Sequence, residues 1–148
     1  MTSADAFAYD VFVSYGHQEP DRTWVRETLV PRLRAGGLVV CIDHESFRPG
    51  EPLVLEMARA VEQSRYTLAI LTPRYLRGNF AELENVLAEH LGLEQGQRRL
   101  LLAMREPCEP RLGMRARLWL DLTDRDDRSF ERGMTRLADE LRGSLEPA

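Results

Sequence analysis

Residues Tyr9–Tyr15 read YDVFVSY. The run is short, β-branched and aromatic, and from Val11 onward it lacks the polar alternation of a half-solvated strand. It predicts a buried strand. Outward from it the chain alternates. Asp21 is placed to cap a helix that carries Trp24, Val25, Leu29, Val30 and Leu33 and stops at Gly36-Gly37. Leu38–Ile42 (LVVCI) predicts a second buried strand. A polar segment, Asp43–Pro52, follows with the turn signal Pro49-Gly50. Leu53, Met57, Ala60 and Val61 mark a helix over Leu53–Ser64, and Tyr66–Leu71 is a third strand that Thr72-Pro73 ends. A helix over Phe80–Leu93, a turn around Gly96 and a fourth strand, Leu100–Met104, come next. A proline-rich loop (Pro107–Pro110), a short fifth strand (Leu118–Leu122) and an amphipathic helix (Phe130–Leu141) complete the chain.

Strands without polar alternation, separated by helices, mean a parallel sheet covered on both faces. The expected fold is α/β: a flavodoxin-like five-stranded parallel sheet of order 2-1-3-4-5 with helices on both faces and Asp10–Ser14 as its central strand. One domain over residues 7–142 is expected, with 1–6 and 143–148 as flexible ends. Ligands of such sheets bind beyond the carboxyl ends of the strands. The segments that matter are therefore Ser14–Glu19, Asp43–Pro52, Thr72–Glu84, Arg105-Glu106 and Asp121.

Composition removes several function classes. The 148 residues carry a net charge of −4, which argues against binding driven by nucleic-acid phosphates. No apolar run reaches the roughly 18 residues of a membrane span, and MTSADAFAYD has no secretory n- or h-region. All 20 basic residues are arginine, so Schiff-base chemistry and a GxxxxGK phosphate loop are excluded. The loop SYGHQEP has one glycine and cannot wrap a pyrophosphate as GxGxxG does. A receiver domain would need acidic residues after the first strand and an aspartate after the third. Here stand Tyr15-Gly16-His17 and Thr72-Pro73. Cys41 and Cys108 match no metal spacing; a single disulfide is open to them, and reduced cytosolic thiols are the expected state. His17, His44 and His90 are scattered and read as surface or core-edge residues rather than metal ligands.

The helix from Phe80 holds an anomaly. Phe80, Leu83, Leu87 and Leu91 form an apolar stripe at 100° per residue, with Glu82, Asn85 and Glu89 opposite. Glu84 falls inside the apolar sector. A carboxylate there is paired, has a raised pKa, or lines a cleft. A structural salt bridge and a functional carboxylate both satisfy that pattern.

These segments resemble the Toll/interleukin-1 receptor (TIR) domains. YDVFVSY is similar to the first box of that family. Cys41–Leu53 (CIDHESFRPGEPL) resembles its second box, with a BB loop whose tip is Arg48-Pro49-Gly50. Ser64–Leu76 resembles the third strand with its Ser/Thr-Pro end, and Tyr75, Phe80 and Glu84 follow at the family's spacing. Leu118-Trp119-Leu120 with Phe130-Glu131 resembles the third box. The likeness spans about residues 7–142. Phe80-Ala81 stands where the family commonly has Trp-Cys, and the first loop lacks the arginine of some NAD-cleaving members.

The resemblance implies a cytoplasmic NAD+ nucleosidase, a glycohydrolase or an ADP-ribosyl cyclase, of prokaryotic antiphage defence, active on self-assembly and with NAD+ as substrate rather than a cofactor. Glu84 is then the catalytic carboxylate. Ser14, Tyr15, Asp43, Phe47, Arg48 and Phe80 are candidate substrate contacts, and Arg48, Pro49 and Gly50 the assembly tip. Implied partners are other TIR domains, in a homo-oligomer or filament, and a fused or associated sensor domain, with neither nucleic acid nor membrane bound. The alternative is a non-catalytic adaptor that acts by homotypic TIR–TIR contact.

Overall fold

The computed structural model of the chain describes residues 7–90, 100–109, 119–123 and 127–143. Five strands run in this order along the chain: β1 (Tyr9–Ser14), β2 (Val40–Cys41), β3 (Ser64–Leu71), β4 (Leu100–Met104) and β5 (Leu120–Asp121). They form one sheet of order β2-β1-β3-β4-β5, parallel at every pairing. The middle strand is β3. β1, expected at the centre, lies one place toward the β2 edge, because the chain reverses its direction of winding after β2.

Strand periodicity sorts the two cores. Val11 and Val13 of β1, with Leu68 and Ile70 of β3, point to one face. That face is covered by α1 (Asp21–Trp24), its continuation α2 (Val30–Ala35) and α7 (Asp127–Gly143), through Val25, Leu29, Leu33, Met134, Leu137 and Leu141. Phe12, Ala69 and Leu71 point to the other face. There α4 (Leu53–Gln63), α5 (Pro73–Arg77) and α6 (Phe80–His90) cover them with Met57, Val61, Tyr75, Phe80 and Leu83. Each fully buried leucine of this kind contributes roughly 1.5–3 kcal/mol of transfer free energy.

Local chemistry explains where elements differ from the sequence reading. Asp21 does not cap α1. The capping position is Pro20, and Glu19 supplies the acceptor for the Thr23 backbone N–H at 2.9 Å. A π-helical turn, Val25–Leu29, joins α1 to α2 just ahead of Pro31. Pro31 has no N–H to give, and its ring would crowd the preceding turn of a regular α-helix, which the wider turn relieves. The helix stops at Gly36-Gly37, where Gly37 takes φ +90°. β2 is shorter than Leu38–Ile42: Val39 gives its N–H to the Asp10 carboxylate at 2.7 Å and meets the β1 backbone only through its carbonyl, which accepts from Asp10 N–H at 2.8 Å. α5 was not expected. Thr72 caps it, its hydroxyl accepting from Tyr75 N–H at 3.1 Å, and Pro73 opens it. Asp43–Pro52 is not wholly loop, since Asp43–Ser46 forms one helical turn, α3. The turn around Gly96, the end of the helix beyond His90, Pro110, Leu118 and the ends 1–6 and 144–148 lie outside the described residues.

Candidate functional site

A cleft opens at the carboxyl edge of the sheet. Its walls are Ser14, Tyr15 and His17 after β1, Asp43 and Phe47 after β2, Leu53 and Met57 of α4, and Asn79 and Glu82 where α6 begins. The topology explains this gathering. β1 and β3 are adjacent but separated in sequence by β2, so the loops that follow them converge there.

Asp43 is the electrostatic centre. Its Oδ1 accepts from the Tyr15 hydroxyl at 2.7 Å, and its Oδ2 lies 2.8 Å from His17 Nε2. Burial alone would raise the Asp43 pKa. The hydrogen bonds from His17 and Tyr15 outweigh it and hold the carboxyl at about 2. Tyr15 is pushed the other way, above the ordinary phenol range, first by burial and then by its bond to Asp43. Arg26, from the π-helical turn, donates its Nε to the same hydroxyl at 2.9 Å and opposes that rise. His17 also reaches the turn before α6: its backbone N–H donates to Asn79 Oδ1 at 3.0 Å. Tyr15 and His17 thus tie the loop after β1 to both the Asp43–Pro52 segment and the start of α6.

The sequence-derived residues divide. Ser14, Tyr15, Asp43 and Phe47 meet at the cleft. Ser14 is a brace, its hydroxyl 2.7 Å from the Tyr75 hydroxyl. Phe80 is fully buried and packs on Tyr75 with ring centroids 5.4 Å apart, so it offers no face to a ligand. Arg48 is not in the cleft. It pairs with Glu56 and lines a separate cavity behind the loop. Pro49 and Gly50 are exposed at the loop tip, Gly50 at φ +86°.

Glu82 and Glu84 of α6 are both half-buried. Glu82, expected on the solvated face, lines the cleft instead. Helical angle did not decide its surroundings, because a first-turn residue faces the end of the sheet as well as the side of the helix. Glu84, one residue beyond the fully buried Leu83, is not on the cleft lining. Both charges reach the buried Tyr75 hydroxyl and add to a rise in its pKa that is caused first by burial. The cleft volume is about 20 Å³, the space of little more than one water molecule.

Sequence reasoning missed His17 and Asn79. The two-residue stretch Gln18-Glu19 before Pro20 gave no signal that His17 would fold onto Asp43. It also missed a network beside the cleft. Asp21, buried, accepts from Thr72 Oγ1 at 2.5 Å and from Arg74 Nη2 at 2.7 Å, while Arg74 pairs with Glu106.

The sequence profile described as the TIR domain matches residues 11–138. Human Toll-like receptor 1 is 29% identical over 100 residues, covering 67% of this chain and 12% of that protein. The solved TIR domain of the Toll-related receptor TRR-2 from Hydra magnipapillata covers 88% of this chain and 98% of its own, at 25% identity and a TM-score of 0.71. A TIR-STING receptor from C. gigas shares the fold, with a TM-score of 0.58 at 18% identity over 97% of this chain and 42% of its own. The chain spans about 12% of the length of its curated receptor relatives. With a profile matched over most of its length and the strand order that goes with it, this chain belongs to the TIR domain family.

Proposed function

We propose that this TIR domain cleaves the nicotinamide–ribose bond of NAD+ and acts in prokaryotic antiphage signalling. One observation carries the reading. The cleft lining holds two carboxylates, Asp43 and Glu82, with aromatic Phe12, Tyr15 and Phe47, and no arginine. Cleavage of this bond moves positive charge from the nicotinamide ring onto the ribose, as in an oxocarbenium-like glycoside transition state. An acidic, poorly solvated, aromatic cleft stabilises that charge and stacks a flat ring. Nicotinamide departs neutral, so no strong general acid is required.

Glu84 is the proposed catalytic carboxylate, on the family spacing from Tyr75 and Phe80. The cleft as it stands is too small for a nicotinamide riboside. Substrate entry therefore requires displacement of the Phe47–Leu53 wall, and self-assembly is the proposed trigger. A sensor domain, fused or associated, controls that assembly. The site is proposed to work in the cytoplasm and to need no cofactor, and neither nucleic acid nor a membrane is a proposed partner.

The test is release of nicotinamide from NAD+ at high protein concentration, comparing the parent chain with Glu84→Gln and Glu82→Gln. Loss of one electrostatic element of this kind costs on the order of 10²–10³ in rate. Glu84→Gln is expected to show that loss, and Glu82→Gln, which removes one of the two carboxylates on the cleft lining, a smaller one. The reverse pattern transfers the role to Glu82. No nicotinamide from the parent in any assembled state overturns the reading. The adaptor function then stands, favoured by the exposed apolar run Leu53-Val54-Leu55 beside the loop tip.

A further inference from the structure

Behind the Asp43–Pro52 segment lies a second cavity of about 270 Å³, lined by Tyr9, Cys41, Ser46, Phe47, Arg48, Arg59, Ala60 and Gln63. Its size is near the lower end of the roughly 300–1,000 Å³ typical of small-ligand pockets. Two guanidiniums face it and no carboxylate does. Both arginines lean on Glu56, which is nearly fully buried. Arg59 Nη2 is 2.6 Å from its Oε1, and Arg48 Nη2 is 3.5 Å from its Oε2. The Arg48 backbone N–H takes a further share of the same carboxylate at 2.6 Å. On this wall one carboxylate answers two guanidiniums, while Asp43 and Glu45, whose charges also reach Cys41, are paired with His17 and Arg34.

We propose that this cavity binds a small phosphate-bearing anion. A guanidinium presents paired N–H donors that match phosphate oxygens. A phosphate accepts from the guanidinium N–H groups that Glu56 leaves unused, so the Glu56 pairs stay in place. Ser46, Gln63 and the Tyr9 hydroxyl add neutral hydrogen-bonding groups, and the Tyr9 and Phe47 rings offer apolar walls to whatever body the phosphate carries. Phe47 also lines the front cleft, so it is the partition between the two spaces. An occupant behind it braces the wall that must move to open the front. The ligand thereby sets how readily the candidate active cleft opens, a consequence that rests on the proposed function. The binding itself does not.

Cys41 supplies the readout. Its thiol is buried on the cavity lining, and burial pushes its pKa upward, so a reagent reaches it slowly and by way of the cavity. In a Cys108→Ser background, modification of Cys41 by methyl methanethiosulfonate is followed by mass spectrometry. The probes are inorganic phosphate and phenyl phosphate, against chloride at matched ionic strength. At a probe concentration ten times its dissociation constant, labelling slows about tenfold. Protection is expected in the parent and absent in Arg59→Gln and in Arg48→Gln, the latter an exposed position whose change leaves the fold intact. Stronger protection by phenyl phosphate identifies a phosphate monoester as the ligand class, and equal protection identifies free phosphate. Equal labelling with phosphate and chloride overturns the proposal, as does protection that survives in both arginine variants. Neither result depends on NAD+ cleavage.

Discussion

Asp21 and Asp43 occupy equivalent-looking places at the carboxyl edge of one sheet, yet their charges are balanced differently. Asp21 meets a guanidinium and a hydroxyl, Arg74 and Thr72, both from the segment that follows β3. Arg74 cannot lose its proton at any working pH, so that pairing is permanent. Asp43 meets a phenol and an imidazole, Tyr15 and His17, and the imidazole is half-exposed. Neither of these partners carries the fixed charge of a guanidinium, so this second pairing rests on a phenol at 2.7 Å and an imidazole at 2.8 Å. The Asp21 pair borders a small cavity shared with Trp24 and Arg105, and the Asp43 pair borders the cleft. One half of the edge is tied by a guanidinium, and the other by a phenol and an imidazole.

The largest effect expected from breaking this contrast is at Asp21. Its carboxylate also fits against Gly16, where an added Cβ would lie 2.6 Å from Asp21 Oδ2. The loop after β1 is thus shaped around it. Asp21→Ala strips Arg74 and Thr72 of their shared acceptor and leaves a partly buried guanidinium beside Glu106 alone. Removing one partner of a buried pair costs about 3–5 kcal/mol. Urea denaturation at neutral pH is expected to show a loss of that order. A loss under about 1 kcal/mol would mean the two halves of the edge do not differ in the way described.

A smaller effect, and one that depends on pH, is expected at Asp43. The folded carboxyl sits at about 2, below its ordinary value of 3.8. A carboxyl depressed by folding adds stability that is fully present above the ordinary value and lost as pH falls through the folded one. The unfolded chain binds the proton first, so stability falls with pH across that window, by about 2 kcal/mol in all. Comparison of the parent with Asp43→Asn from about pH 5 to about pH 2 isolates this contribution from the other carboxylates. The variant is expected to start lower and to fall less. Parallel curves would show that the Tyr15 and His17 bonds do not stabilise the charged form.

The sheet was readable from YDVFVSY and YTLAIL because a fully buried parallel strand leaves an unbroken apolar run. The same rule placed Leu100–Met104 at the limits observed. It failed at Val39, which is exposed and meets β1 through its carbonyl alone, because on an edge strand the N–H can go to a side chain, here the Asp10 carboxylate. α5 was legible in principle from Thr72-Pro73, a capping residue followed by the proline of a first turn, but the same pair also ends a strand, and that signal hid it. At the cleft, Ser14, Tyr15, Asp43 and Phe47 were found because loop position after a strand is a topological fact. His17 and Asn79 were not, because their meeting depends on how two loops far apart in sequence fold onto each other. Glu82 was misplaced for a related reason: helical angle describes a long helix beside a sheet, not its first turn at the sheet's end.

The smallest effect on stability, and the sharpest test of the half that borders the cleft, is at the tip of the Asp43–Pro52 segment. Pro49 and Gly50 are exposed, and the descent from the tip is anchored by Arg48 N–H on Glu56 rather than by the tip residues themselves. Pro49→His adds an imidazole to solvent and removes a ring that fixes one backbone angle. An exposed change of this kind stays within about 0.5 kcal/mol, so the melting temperature is expected to be unchanged. Beside the tip, Leu53, Val54 and Leu55 are 48%, 43% and 52% exposed, an apolar run that isolated chains of this size seldom leave uncovered. If a second copy covers it, the tip lies at the rim of that contact, and its shape controls self-association without touching the core. Light scattering across a dilution series is expected to show weaker assembly for Pro49→His at equal thermal stability. Unchanged assembly would separate the tip from the interface. A lowered melting temperature would instead place Pro49 among the residues that hold the fold, on the same side of the comparison as Asp21.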